Sequence, residues 1–538
     1  MTAEVQKRQT RAFVGGAAIL AAGSLASRVL GATYRIILPI VMGGGQRAAV
    51  GMGLFQFAYP IFTVLVTLIT TGFPLAISKL VSERLAAGDR DGAGAVVRMA
   101  RLILPLCGFA LSAVLWFLAP VVAVHVAGDV AAIPSIRAIS PAIFTVSLAS
   151  VYRGAFQGQQ DMVPYAISQV LEQIGRVLTM FALVVALLPR GIQWAAAGAS
   201  FGATVGGACA TLAILVLWRQ RGRARVGEGR VRRGAGLGIL RAIFGLALPI
   251  TMGAMLLPLL NLANAAIIPL RLRAAGLGAH AIALYGVLTG YASPLVLAPT
   301  LFTAALAMSL LPSISAALAA GDAQGGGRRA AVGLRLAMLF SLPASVGLLL
   351  LAGPLPELLF HSAQAARPLA VLAPALLFLS MQQTSSGVLQ ALGKPALPVR
   401  HLAVGGAVMV AVAWVLVARP GWNVTGAALG TTLAFAVAAS LNLRATGRLL
   451  PGAVDWGKMA LRPALSTAVM AAAVLLWEHV GRPHSDALIV SGAVVGGAAV
   501  YTVSLLACGG VRREDLEMVP RIGTPLAGFL VRYRLIRP

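Results

Sequence analysis

Apolar residues run through this chain in long stretches, separated by short segments that hold most of the charge. A helix rises 1.5 Å per residue, so about twenty apolar residues cross a hydrocarbon layer of roughly 30 Å. Stretches of that length lie at 14–40, 53–80, 102–125, 138–157, 163–188, 193–217, 240–268, 282–311, 333–353, 368–391, 399–418, 424–442, 459–478 and 486–508. The pattern predicts an all-α integral membrane protein of about fourteen transmembrane helices, numbered here in that order. The first span follows Lys7, Arg8 and Arg11 like the basic start of a signal peptide. It carries Arg28 and Arg35 and has no small-residue cleavage site, so it is read as a retained helix.

The placement of charge orients the chain. With the N-terminus inside, 32 of the 43 Lys and Arg fall on the cytoplasmic side and seven outside, the asymmetry expected of a multi-pass protein with both termini cytoplasmic. The chain also repeats itself. Leu85-Ala-Ala-Gly-Asp89 recurs as Leu318-Ala-Ala-Gly-Asp322, 233 residues on, and Gly154-x-x-Gln157 recurs at Gly387-x-x-Gln390. Gly198-Ala-x-x-Gly202 recurs as Gly426-Ala-x-x-Gly430. Each echo is six helices from its partner, and an even separation makes a parallel repeat. The expected organisation is an N-lobe over 1–218, a basic cytoplasmic linker over 219–239 and a C-lobe over 240–443. Helices thirteen and fourteen follow over 444–510, then a basic cytoplasmic tail over 511–538.

Composition agrees: 59% of residues are hydrophobic and 11% charged, far from the balance of a water-soluble domain. The net charge of +27 sits in short clusters between apolar runs, with no basic domain bearing interleaved aromatics, so nucleic acid is not an expected partner. Cys107, Cys209 and Cys508 are isolated in apolar runs and the six His are scattered. Neither set forms a metal or disulfide pattern, and no cofactor is expected. No nucleophile elbow, phosphate-binding loop or nucleotide-binding domain is present, which argues against an enzyme.

Charge inside the spans is where chemistry is expected. Arg28 and Arg35 are seven residues apart on one face of helix one, with Gly31 between them. A charge held in the membrane is costly, so the pair is expected to face a water-filled cavity that takes an anionic group, or to reach an interface. Helix five carries Ser168, Gln169, Glu172, Gln173 and Arg176; Glu172 and Arg176 are spaced to pair, as a structural ion pair or as part of the cavity lining. Asn261 and Asn264 of helix seven sit 233 residues after Arg28 and Gly31, and fit either substrate contact or interhelical hydrogen bonding. Arg271 and Arg273 follow on the outer side, as a second anion contact or as interfacial arginines. Prolines 39, 60, 74, 249, 258, 269, 294, 299 and 312 lie in or near the helices that are expected to bend.

Several motifs carry a family resemblance. Ser27-Arg28-Val-Leu-Gly31 with Tyr34-Arg35 resembles the first helix of the polysaccharide-exporter and lipid-flippase branch of the MOP exporter superfamily. Gly72-Phe-Pro74-Leu-Ala-Ile-Ser78-Lys79 resembles that branch's second helix. Tyr152-Arg153-Gly154-Ala-Phe-Gln157-Gly158 and Ile167-Ser168-Gln169-Val-Leu-Glu172-Gln173 are similar to the stage V sporulation protein B group, as are Leu248-Pro249-Ile-Thr251 and Gln390-Ala-Leu-Gly393-Lys394-Pro395. The resemblance implies a monomeric flippase in a bacterial cytoplasmic membrane. It would carry a polyprenyl-diphosphate-linked sugar, such as lipid II or a polysaccharide unit, between leaflets by alternating access. It also implies that Arg28 and Arg35 are cavity arginines, with Arg271 or Arg273 a looser match to a later one. Its partners would be the lipid-linked oligosaccharide and membrane lipids. No acid lies inside helices seven, eleven or twelve, so the sodium site some such flippases carry has no obvious ligands here. A cation-coupled drug exporter of the multidrug and toxin extrusion type is the alternative, and would be expected to offer a cavity carboxylate where helix one offers arginine.

Overall fold

The structure is a computed structural model that describes residues 23, 27, 29–31, 33–222, 226–227, 235–481 and 486–511. Arg28, much of the 219–239 linker and nearly all of the 511–538 tail lie outside the described residues. Among those described, all regular structure is helical, and fifteen segments are long and apolar enough to cross a bilayer. Spans two to six and nine to fourteen each appear as one segment. Spans seven and eight each appear as two, Gly236–Ala254 with Leu256–Ala274 and Gly278–Leu297 with Thr300–Ala319.

Proline accounts for both divisions. Pro258 has no N–H to offer the Ala254 carbonyl, and Pro299 has none for Leu295. The chain does not turn back at either place. Met255 (φ −70°, ψ −21°) and Pro299 (φ −63°, ψ −25°) keep right-handed helical dihedrals. Hydrogen bonds from Met255 N to Thr251 O and from Leu259 N to Met255 O continue through the first break. Each pair is therefore one bent helix, and the reading of about fourteen crossings stands. Helix eight also contains a π-helical stretch, Val287–Ala292, just before its bend.

The chain forms two compact units, Met1–Gly286 and Val287–Pro538. The first takes in helix seven and the start of helix eight, elements that the sequence repeat assigns to the second lobe.

The repeated motifs do the same local work in each unit. In the first, Gly88 takes φ +76° after the helix Gly72–Ala86, and the Asp89 carboxylate then accepts from Gly92 N at 2.7 Å to cap the next helix. In the second, Gly321 takes φ +78° and Asp322 accepts from Gly325 N at 2.7 Å. A left-handed turn followed by an Asp cap ends one helix and starts another, which explains the spacing of the motif. Gly154 and Gly387 likewise allow close approach: an added Cβ would lie 2.7 Å from the Pro74 carbonyl oxygen and 3.0 Å from that of Ala307.

The third echo positions the polar centre. Helix six (Ile192–Leu217) lies against helix five (Val163–Leu187) along Gly198, Gly202 and Gly206. A Cβ at Gly202 would meet the Arg176 carbonyl oxygen at 2.7 Å, and one at Gly206 that of Glu172 at 2.5 Å. Small residues let the two backbones touch, so the helix bearing Glu172 and Arg176 is held at fixed distance and rotation. In the second unit, Gly426 meets Leu416 and Gly430 meets the Met409 carbonyl in the same manner.

Candidate functional site

A carboxylate inside a membrane span needs donors for both oxygens, because no lipid group supplies them. Glu172 has a separate guanidinium for each. Arg176, one turn on, donates from Nη2 to Oε1 at 3.0 Å, the i, i+4 pair expected from sequence. Arg153 donates from Nη2 to Oε2 at 2.8 Å from helix four, Pro141–Gly158. The side chains of the three residues are only 10–15% exposed.

Arg153 is held independently of the acid. Its Nε donates to Ser168 Oγ at 3.0 Å, and its guanidinium carbon lies 5.5 Å from the centre of the Tyr165 ring. Ser168 Oγ in turn donates to the Tyr165 carbonyl at 2.7 Å. On the other flank Tyr59 interacts with both Arg176 and Arg35, and the Arg35 guanidinium carbon sits 5.3 Å from its ring centre. Three guanidinium groups and one carboxylate thus share one polar centre in the first unit, leaving it two positive charges in excess. The Nε of Arg176 is buried and makes no hydrogen bond among the described residues.

Beside this centre is a cavity of about 230 Å³, lined on its polar side by Ser27, Arg153, Tyr165, Gln169, Glu172 and Gln173. Helix one closes against helix five here: Ser27 Oγ reaches the Gln169 carbonyl at 3.5 Å, and a Cβ on Gly31 would lie 3.5 Å from Gln173 Nε2. The arrangement can hold an anionic group against fixed donors while a polar headgroup fills the adjoining space.

Of the residues expected from sequence, the structure brings together Arg35, Glu172, Gln173 and Arg176. Asn261, Asn264, Arg271 and Arg273 do not line the cavity. Asn261 is exposed and Asn264 half-buried, both on Leu256–Ala274. Arg273 donates from Nη2 to the carbonyls of His125 and Val126 at 3.0 and 2.9 Å, capping the π-helical end Ala123–Ala127 of helix three. These carbonyls have no further helical turn to bond, so a cation there is favourable. Arg273→Ala is expected to lower stability by about 1–2 kcal/mol in reversible unfolding of the purified protein.

Arg153 is the residue that sequence reasoning missed. Arg153 and Arg335 are among the 32 basic residues that the charge pattern assigns to the cytoplasmic side, yet they lie within helices and are 8% and 7% exposed. The charge asymmetry expected from sequence keeps its sign without them. The available signal was an arginine in the membrane helix immediately before the one that bears a membrane acid. In the second unit, helices ten to twelve are tied by a polar group: Asn442 Oδ1 lies 2.7 Å from His401 Nδ1, and Asn442 Nδ2 donates to Ser386 Oγ at 2.9 Å.

Comparison with known proteins follows from this architecture. The sequence model of the family described as polysaccharide biosynthesis protein matches residues 13–318, and one described as MatE matches 249–415. Stage V sporulation protein B of Bacillus subtilis (strain 168) is 28% identical over 513 residues, which cover 95% of this chain and 98% of that protein. Lipid II flippase MurJ of the same organism is 27% identical, covering 72% of this chain and 74% of the relative. A solved structure of lipid II flippase MurJ, in an inward closed conformation, shares the fold with a TM-score of 0.67 and 15% identity, over 90% of this chain and 97% of that one. The chain belongs to the polysaccharide biosynthesis protein family.

Proposed function

We propose that this protein moves a polyprenyl-diphosphate-linked sugar, a lipid II-like wall precursor or a polysaccharide unit, from the inner to the outer leaflet of a bacterial cytoplasmic membrane. The observation that carries the reading is the excess of guanidinium over carboxylate beside a cavity in the membrane interior. A diphosphate diester is a dianion, and arginine matches its oxygens in geometry and charge. The relatives named above point the same way, since one is a lipid II flippase. The protein works by alternating access: the headgroup enters the cavity from the cytoplasmic side while its apolar tail stays in lipid, and leaves on the other face. Both termini are cytoplasmic, and the transported molecule is not chemically altered.

The rival reading, a cation-coupled drug exporter, draws on the MatE match over residues 249–415. A cationic substrate needs an available carboxylate. The acid of the first-unit centre, Glu172, already has both oxygens bonded to arginine.

The experiment is reconstitution in liposomes with labelled lipid II. Wild type is expected to translocate headgroups, and Arg28→Ala and Arg35→Ala to do so about tenfold more slowly, the loss expected for one charge-assisted contact. Equal rates in all three proteins would remove the arginines from the cavity. Export of organic cations without headgroup translocation would establish the rival.

A further inference from the structure

We infer that Glu172 occupies, in the empty protein, the place of a diphosphate oxygen, so that the lipid-borne dianion and one proton enter this site together. The inference rests on the flippase reading and goes beyond it by assigning a proton to the site and a residue to carry it.

The geometry is that of a displaceable anion. Glu172 bridges two guanidinium groups, one oxygen to each, at 2.8 and 3.0 Å. Arg153 does not depend on it for position, since Ser168 and Tyr165 hold its other edge and face. Arg176 keeps a buried Nε with no hydrogen-bond partner among the described residues, so it has a donor to spare. The carboxylate borders the cavity, as does Arg153. A headgroup entering that space meets donors already set for an anion, with a movable side chain between them.

Charge decides what happens to the acid. The two guanidinium groups that touch Glu172 balance two negative charges. A carboxylate together with a diphosphate dianion makes three. Among the described residues no third cation lies within ion-pair distance of Glu172, and Arg35, the remaining guanidinium of the centre, is engaged by Tyr34 and Tyr59 instead. Helix six contributes only Cys209 among titratable groups, close to Gly175. Helix two contributes Tyr59, which reaches Arg176, and helix one contributes Arg35, which faces Tyr59 and its neighbour Tyr34. Helix five itself adds Tyr165, under Arg153. A carboxylate left unpaired in this setting is strongly disfavoured against its neutral form. As Arg153 and Arg176 turn to the diphosphate, Glu172 therefore takes a proton from water. When the dianion leaves, the two arginines close on the carboxylate again and the proton is released.

The sign for pH is fixed by this exchange. The loaded state binds one more proton than the empty one, so binding strengthens as pH falls. The substrate's own diphosphate stays ionised across the range and adds no dependence.

The test uses the full-length protein in nanodiscs of neutral lipid, with labelled lipid II as the probe, titrated between pH 5.5 and 8. In wild type the affinity is expected to rise by up to about tenfold for each unit of pH decrease where Glu172 titrates. Calorimetry in two buffers of different ionisation enthalpy should count about one proton taken up per lipid bound. Glu172→Gln should bind with no pH dependence and no proton uptake, and at pH 8 more tightly than wild type. Glu172→Asp keeps the titrating group and should keep the uptake. Wild type that binds and flips lipid II without proton uptake overturns this inference alone. So does Glu172→Gln protein that takes up the same proton, or that folds and binds at least tenfold more weakly. Should that variant not fold, the wild-type proton count decides. If wild type neither binds nor flips lipid II, it is the flippase reading that fails.

Discussion

Arg153→Met is expected to lower stability by about 3 kcal/mol and to reduce headgroup translocation at least tenfold. Removing one partner of a buried ion pair leaves the other as an uncompensated charge, and such losses run to about 3–5 kcal/mol. The low end applies because Glu172 keeps its bond to Arg176. Ser168 Oγ also loses the Nε–H that it accepts. In the double variant Arg153→Met with Glu172→Gln the half-bonded carboxylate is gone, but buried Arg176 loses its carboxylate partner, so reversible unfolding should show little of the lost stability returning. Translocation should not return either, because the donor is still missing. An Arg153→Met protein as stable as wild type would mean that the carboxylate has found water or another partner, and that the three residues do not act as a unit.

Gly53→Ala is expected to cost about 3 kcal/mol, or to prevent accumulation of folded protein. A Cβ at this position of helix two would lie 2.0 Å from the backbone carbonyl oxygen of Ile282, and one at Gly286 would lie 1.9 Å from that of Ala49. The obstacle is backbone on both sides, so no rotamer change relieves it, and overpacking penalties reach their upper range. Gly245→Ala provides the opposite sign. Nothing lies within 4 Å of its Cβ position, and it sits within the helix Ala235–Ala254. There, alanine should be neutral or stabilising by up to about 1 kcal/mol on helix propensity alone. Thermal unfolding of the two variants side by side checks the contrast; equal midpoints would refute the close approach at Gly53.

The membrane architecture was legible because lipid imposes a length and a polarity on every span, and both are written along the sequence. The Asp89 and Asp322 caps were visible as a repeated five-residue run, though its geometric meaning appears only with the left-handed glycines before them. Bending was expected near nine prolines, spread over helices one, two, seven and eight. The structure selects Pro258 and Pro299 as the breaks, while Pro249, Pro269 and Pro312 sit inside continuous helices. Which proline breaks a helix depends on packing around the carbonyl four residues back, and that is not local information. The site divides in the same way. Glu172 with Arg176 is a one-turn relation that spacing alone reveals. Arg153 is joined to them across a helical hairpin, and its nearness to a loop in sequence concealed its burial. Tyr59 could not be found at all from spacing, since it meets Arg35 and Arg176 from separate helices.

The glycine contacts between helices five and six have a mechanical consequence. Two backbones in direct contact have no intervening side chains whose rotamers can change to let the helices slide or roll. Such a pair behaves as a single stiff strut. Deformation of the first unit would then be carried by its softer places, the proline bend at Met255 among them. The ion pair on helix five would ride along with its supports, keeping Glu172 and Arg176 in register while the cavity beside them changes width.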